Sequence, residues 1–268
     1  MESIRVLDSA TKLAPADRGA VVVCGSHGGT FPAWLVARAG VRAIVLNDAG
    51  LGLERAGVAG VAWLDALGIA ACAVAGTSAR IGDGADTLES GVLSTVNEAA
   101  ARAGCEAGMA CREAARRLSE ATAVEPRSIP ERGESRSAIP NTGHRAAWAL
   151  DSMSLARESD AHAILVTGSH GALLGGRADD GMLAVRIHAA IFNDAGGGKA
   201  GAGYARLAVL DRRGVAAATV SAATARIGDG RSTWETGVLS RVNAAAARLD
   251  LAEGLSCREA VARLLGIG

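Results

Sequence analysis

The stretch VVVCGSHGGT, Val21 to Thr30, decides the fold. An apolar, mostly β-branched run enters a glycine-rich turn, and Thr30 then stands where a helix begins. An apolar run without polar alternation fits a strand buried on both faces, as in a parallel sheet. Thr30 as cap, Pro32 near the first helical position and a stop at Gly40 predict the helix that follows. Strand, turn and helix in that order open a βαβ unit. A second stretch, ILVTGSHGA, Ile164 to Ala172, repeats the turn with Thr167 in place of Cys24.

The repetition runs through the whole chain. LDS at Leu7 recurs at Leu150, NDAG at Asn47 recurs at Asn193, and ARIGDG at Ala79 recurs at Ala225. GVLS at Gly91 recurs at Gly237, and CREA at Cys111 recurs at Cys257. The offset is 143 residues between His27 and His170 and 146 between Asn47 and Asn193. That period is far longer than a solenoid repeat and matches a small domain.

Further strands are expected at Val41–Leu46 and Ile69–Val74, with a helix between them from Val58 to Leu67, closed by Gly68. A long helix is expected from about Asp86 to Ala103, with Asp86-x-x-Glu89 as its capping box, and another from about Ala110. The second copy follows the same plan, with strands near Ala163–Val166, Ala189–Phe192 and Ala216–Val220, and with Ser232-x-x-Glu235 as the matching box. Asn97 and Asn243 fall two turns inside the long helices on this reading. Asp8 and Asp151 cap or turn the leading segment. The fold class is therefore α/β: two internally duplicated βαβαβ-type halves with mainly parallel sheet, either sharing one sheet or pseudo-two-fold related as a fused homodimer would be. Residues 1–121 form the first copy and 145–268 the second. Between them, 122–144 carries prolines and charges without apolar periodicity and reads as a linker or mobile loop.

Composition narrows the function classes. Of the 268 residues 49% are hydrophobic but only 3% aromatic, so the core is built from Ala, Val, Leu and Ile. Lys plus Arg and Asp plus Glu balance at 28 each, which leaves no basic excess for nucleic acid or an anionic membrane surface. No segment reaches the ~18 to 20 uninterrupted apolar residues of a membrane span, and the first residues read as no signal peptide. Five scattered cysteines without a CxxC pair indicate neither a zinc site nor a disulfide framework and suit a reduced, cytoplasmic setting.

Ligands of an open parallel sheet sit beyond the carboxyl ends of its strands. The loops there are GSHGG, NDAG and TSARIGDG in the first copy, and GSHGA, NDAGGGK and ATARIGDG in the second. They present Ser26, His27, Asn47, Asp48, Arg80 and Asp83, matched by Ser169, His170, Asn193, Asp194, Arg226 and Asp229. A histidine with a carboxylate in reach is an acid–base pair, so His27 and His170 with Asp48 and Asp194 are the candidate catalysts. The arginines, the serines, the asparagines, Asp83 and Asp229 would bind substrate, since guanidinium groups clamp anions. Cys24 beside His27 is a candidate nucleophile. Lys199, in GGGKAG, is a candidate charge clamp whose counterpart is Leu53.

The pattern predicts a cofactor-independent enzyme, with hydrolysis of a small polar or anionic metabolite first and a lyase or isomerase on a small carboxylate second. A divalent metal held by His27, Asp48 and Asp83 is the alternative with a cofactor. A non-catalytic metabolite-binding protein is the alternative without chemistry. The expected partner is a small-molecule substrate, with no nucleic acid and no membrane, and a homo-oligomer is compatible with the sequence.

Overall fold

A computed structural model describes residues 4–125, 128–178 and 185–267. The chain folds as two similar α/β halves, each around its own mixed, mostly parallel sheet. The first sheet runs in order β1 (Ile4–Leu7), β2 (Val21–His27), β3 (Ala43–Asn47), β4 (Ala70–Val74), β5 (Leu93–Val96). Its first four strands are parallel and β5 is antiparallel to β4. The second sheet contains β6 (Arg136–Ala138), β7 (Ala147–Leu150), β8 (Ile164–His170), β9 (Ala189–Asn193), β10 (Ala216–Val220) and β11 (Leu239–Val242). There β7 to β10 are parallel, while β6 and β11 are antiparallel edges.

Both faces of the central strands are covered, as their unbroken apolar runs require. Val23, Val45 and Cys72 face the layer of α3 (Gly84–Ser90), α4 (Glu98–Arg102) and α5 (Cys111–Leu118). Val22, Ile44 and Leu46 face α1 (Thr30–Ala39) and α2 (Ala59–Ala66). The second half repeats this. Ile164, Val166 and Ile191 pack towards α7 (Gly230–Thr236), α8 (Ala244–Ala247) and α9 (Cys257–Leu265), and Leu165 and Phe192 towards α6 (Ala205–Arg212). Losing the fully buried Phe192 ring would cost about 3 to 5 kcal/mol.

The halves differ after the GSHG turn. In the first, α1 lies so close to α2 that a Cβ at Gly60 would stand 2.2 Å from the Gly29 carbonyl oxygen. In the second, a 3-10 turn at Leu174–Gly176 follows the GSHG turn. The counterpart of Gly60 is Arg206, whose buried side chain donates to the Ala172 carbonyl at 2.7 Å.

The helix expected from Asp86 to Ala103 is instead α3, the strand β5 and α4. Gly91 leaves α3 in extended conformation, and Leu93 to Val96 then pair with β4. Asn97 is the cap of α4 and also ties the sheet. Its Oδ1 accepts from Ala100 and Ala71 N–H, and its Nδ2 donates to the Ile69 carbonyl at 2.8 Å. Asn243 repeats these bonds. The expected capping boxes also shift. Asp83 and Asp229 are the caps of α3 and α7, accepting from Asp86 and Ser232 N–H, while Glu89 pairs with Arg112 and Glu235 with Arg231.

Of the stretch Thr122 to His144, residues 126–127 lie outside the described residues. Residues 129–132 cross the outside of α1 and α2, and the later residues join the second half. The Trp34 indole donates to the Pro130 carbonyl at 3.1 Å, Arg38 pairs with Glu131, and Arg132 stacks over Trp63. Within it, Arg136–Ala138 forms β6, anchored by a buried ion pair from Arg136 to Asp160 at 2.6 Å.

The halves meet through their NDAG and ARIGDG loops. Ala49, Ile81, Ala172, Ala195 and Ile227 make a small apolar cluster there. The contacts are reciprocal: Leu53 N–H donates to the Ala222 carbonyl and Lys199 N–H to the Gly76 carbonyl, both at 2.7 Å. Gly50 and Gly196 meet backbone to backbone, and a Cβ on Gly50 would stand 3.0 Å from the Gly196 Cα. A charged pair crosses on each side, Lys199 to Asp86 at 2.7 Å and Arg226 to Glu54 at 3.1 Å.

Candidate functional site

The strands β2 and β8 end in the two GSHG turns, and these bring Ser26, His27, Ser169 and His170 to one narrow cavity of about 100 Å³. It opens into a wider basin of about 520 Å³, the two sharing Thr30, Phe31, Glu134, Asp151, Ile227 and Gly228 as walls. The site is thus a single cleft between the halves. Each turn is held by the ARIGDG loop of its own half, through Gly82 N–H to the Gly25 carbonyl and Gly228 N–H to the Gly168 carbonyl, both at 2.8 Å. Each histidine then leans on the opposite half. A Cβ at Gly228 would stand 3.1 Å from His27 Cε1, and one at Gly82 would stand 3.3 Å from His170 Cε1. Both glycines have positive φ, so the loops approach the imidazoles closely without a side chain between.

The turns also decide the tautomers. His27 Nδ1 accepts from Gly29 N–H at 3.1 Å, and His170 Nδ1 accepts from Ala172 N–H at 3.3 Å. A neutral imidazole that accepts at Nδ1 carries its hydrogen on Nε2. His27 Nε2 donates to no group among the described residues, and the ring lines the cavity. Burial lowers the His27 pKa to about 4, so it is neutral at pH 7 and a hydrogen-bond donor at Nε2. The serines follow the same logic. Ser26 Oγ accepts from Ala10 N–H and Ser169 Oγ from Met153 N–H, both at 2.9 Å, which leaves each hydroxyl hydrogen to donate.

Two carboxyl groups complete the cleft. Asp151 is clamped by Ser135 N–H at 2.7 Å and by Gly230 N–H, at the start of α7, at 3.1 Å. Burial raises its pKa, with the neighbouring Asp229 charge acting in the same direction. Glu134 stands beside it, delivered by the segment that joins the halves. Burial first, and then repulsion from Asp151, push the Glu134 carboxyl up to about 7. A carboxyl poised near neutrality in a cleft is suited to proton transfer.

The remaining expected site residues are engaged elsewhere. Asp48 is not brought to His27: its Oδ1 accepts from Gly50 and Gly76 N–H and its Oδ2 from the Ser94 hydroxyl. Asp194 accepts from Gly196 and Ala222 N–H. These carboxylates hold the NDAG loops in shape, with Ala49 and Ala195 at positive φ of 51° and 50°. Asn47 and Asn193 are fully buried, bridging the Ala79 and Ala225 carbonyls to the Ala49 and Ala195 N–H groups. Cys24 is not a nucleophile in this arrangement. It is fully buried, burial pushes its thiol up to about 11, and its Sγ accepts from Ser26 N–H. Thr167 Oγ1 receives the same bond from Ser169 N–H, so the Cys-for-Thr exchange preserves an acceptor.

Arg226 and Asp229 line the basin, paired with each other at 3.1 Å. Arg80 pairs with Asp83 and with Asp86, the carboxylate that Lys199 of the second half also holds. Lys199 is spent on Asp86. The expected metal set does not assemble, and among the described residues no group of three His, Cys, Asp or Glu side chains converges as a metal site. No helix among the described residues is long and apolar enough to cross a membrane.

Glu134 was not legible as a site residue, because it has no counterpart in the first copy and lies in a stretch without periodicity. Asp151 carried one signal, its place in the repeated LDS motif. Comparison with protein-family models, with curated proteins and with solved structures finds no match to this chain.

Proposed function

We propose that the cleft is the active site of a cofactor-independent hydrolase acting on a small polar carbonyl compound. The observation that carries this reading is the meeting, in one cavity, of His27 as an Nε2–H donor and His170, each with Nδ1 bound to a main-chain N–H, with the Glu134–Asp151 carboxyl pair. Neutral imidazole donors polarise a substrate carbonyl and stabilise the oxyanion formed from it. Glu134 takes a proton from water as the water oxygen bonds the carbonyl carbon. It returns that proton to the leaving nitrogen or oxygen as the tetrahedral intermediate collapses. With a pKa of about 7, both forms of Glu134 are populated at neutrality. On this reading His27 acts as a donor rather than as the base its sequence context suggested.

Two of the basin's three arginines face a protein carboxylate, Arg226 with Asp229 and Arg231 with Glu235, and Arg132 stacks over Trp63, which favours a polar substrate over a highly charged anion. The two halves are read as pseudo-two-fold partners that contribute equivalent donors to one site. Five free cysteines suit a reducing compartment, and we assign the enzyme to the cytoplasm. The test is hydrolysis of a panel of small amides, lactams, imides and esters, followed by His27→Ala, His170→Ala and Glu134→Gln. Each histidine variant should lower kcat by about 10²-fold while remaining folded. Full kcat in both would contradict the assignment.

A further inference from the structure

Glu134 lies in an irregular stretch, residues 128–135, that leads into β6. Backbone outside helix and sheet is fixed by the particular contacts it makes, and ordering it costs conformational entropy. Two sets of contacts bracket this glutamate. Downstream, Ser135 exchanges bonds with Asp151 of the second half. Its N–H donates to the Asp151 carboxylate at 2.7 Å, and its carbonyl accepts from Asp151 N–H at 3.0 Å. Upstream, the first half holds the chain. Ile129 packs against the apolar layer of α1 and α2, the Trp34 indole donates to the Pro130 carbonyl at 3.1 Å, and the Arg132 guanidinium stands over the Trp63 ring at 5.4 Å. The Arg38–Glu131 pair is exposed on both sides and adds little. Gly133 alone separates Arg132 from Glu134, and a Cβ there would meet nothing within 4 Å among the described residues, so packing at that link holds nothing. The two tryptophans are half of the four in the chain, and the second copy has Val209 where the first has Trp63.

We propose that Trp34 and Trp63 are positioning residues for Glu134: they fasten the connecting segment to the first half and so hold the Glu134 carboxyl beside Asp151 of the second. The consequence for catalysis rests on the reading of Glu134 as the group that moves the proton, but the positioning itself is measurable without turnover. Asp151, Asp229, Arg226 and Arg231 of the second half, Glu54 of the first and Arg132 of the segment share the basin with Glu134. His27 and His170 share the narrow cavity with it. Of these groups, Asp151 is the one whose charge raises the Glu134 carboxyl, adding to the effect of burial. A loosened segment lets the carboxyl move towards water and away from Asp151, and both changes lower its titration point.

Carboxyl titration of the full chain by 13C NMR, with Glu134→Gln identifying the resonance, tests the proposal. The value of about 7 should fall by about one pH unit in Trp63→Leu and in Trp34→Phe, which removes the indole donor. It should stay in place in Trp63→Phe, which keeps a ring beneath Arg132. Circular dichroism checks each fold, and if Trp63→Leu does not fold, Trp34→Phe decides alone. An unchanged titration in the folded variants, or a fall in Trp63→Phe as large as in Trp63→Leu, would overturn the positioning role. A fall that the kcat–pH profile does not follow would remove Glu134 as the proton carrier and leave the positioning standing. A kcat limb near pH 7 that vanishes in Glu134→Gln, with the titration unmoved in both tryptophan variants, would do the reverse.

Discussion

His27 and Glu134 carry opposite pH signatures, because burial opposes charge on both and their charged forms have opposite sign. His27 titrates at about 4 in the fold against an ordinary 6.5, so its neutral form is favoured. Its contribution to stability is present above pH 6.5 and is lost as pH falls through 4. His27→Gln should therefore lose less thermal stability than the parent between pH 6.5 and 4; an identical loss in melting temperature would refute the burial argument. Glu134 titrates at about 7 against 4.5, so the fold holds its proton more tightly than the unfolded chain does. That contribution is present below pH 4.5 and disappears as pH rises through 7. Glu134→Gln should flatten the decline in stability between pH 5 and 8, which chemical denaturation across that range reads directly. The histidines were visible in the sequence as a repeated motif, but their tautomers were not. Those depend on which backbone N–H points at Nδ1, a property of the folded turn.

At the scale of elements, two residues show what local pattern conveys and what it conceals. The βαβ opening from Val21 to Gly40 was legible because strand, turn and stop are all local signals, but the cap is Gly29 without a side-chain bond, and the expected cap Thr30 is the first helical residue. The break between α3 and α4 was not, because Asn97 gains its bracing role from distant groups, the Ala71 N–H on β4 and the Ile69 carbonyl just before it. Replacing Asn97 by Ala removes a helix cap and leaves buried main-chain groups unpaired. We expect a loss of roughly 2 to 4 kcal/mol in denaturant unfolding, and a loss below 1 kcal/mol would deny it this bracing role. Gly60 is conspicuous only beside its counterpart Arg206. Gly60→Ala places a methyl group against the Gly29 carbonyl where α1 crosses α2. A cost of about 1 to 3 kcal/mol should follow, measured as a shift in unfolding midpoint.

Across the whole molecule, the duplication was plain in the sequence, and the way its copies face each other was not. Nothing in NDAG or ARIGDG announces that the loops of one half pack on those of the other, or that the histidines cross between them. The interface also records divergence. Lys199 and Asp86 form an ion pair on one side, where the equivalent positions on the other are Leu53 and Ser232. Burial works against the Asp86 charge, but the Lys199 ammonium and the Arg80 N–H outweigh it and hold the carboxyl below its usual range. Lys199→Leu alone leaves that carboxylate with only its Arg80 and Ser90 partners and should destabilise the protein. Adding Asp86→Ser, which copies the opposite side, should recover most of the loss, and a double-mutant cycle in urea measures that coupling. The central claim is that the two halves build one site. Calorimetric stoichiometry on Glu134→Gln with a substrate found in the hydrolysis panel tests it most directly: the account predicts one ligand per chain, with affinity reduced by His27→Ala and by His170→Ala alike. Two ligands per chain, each lost with only one of the histidines, would contradict it.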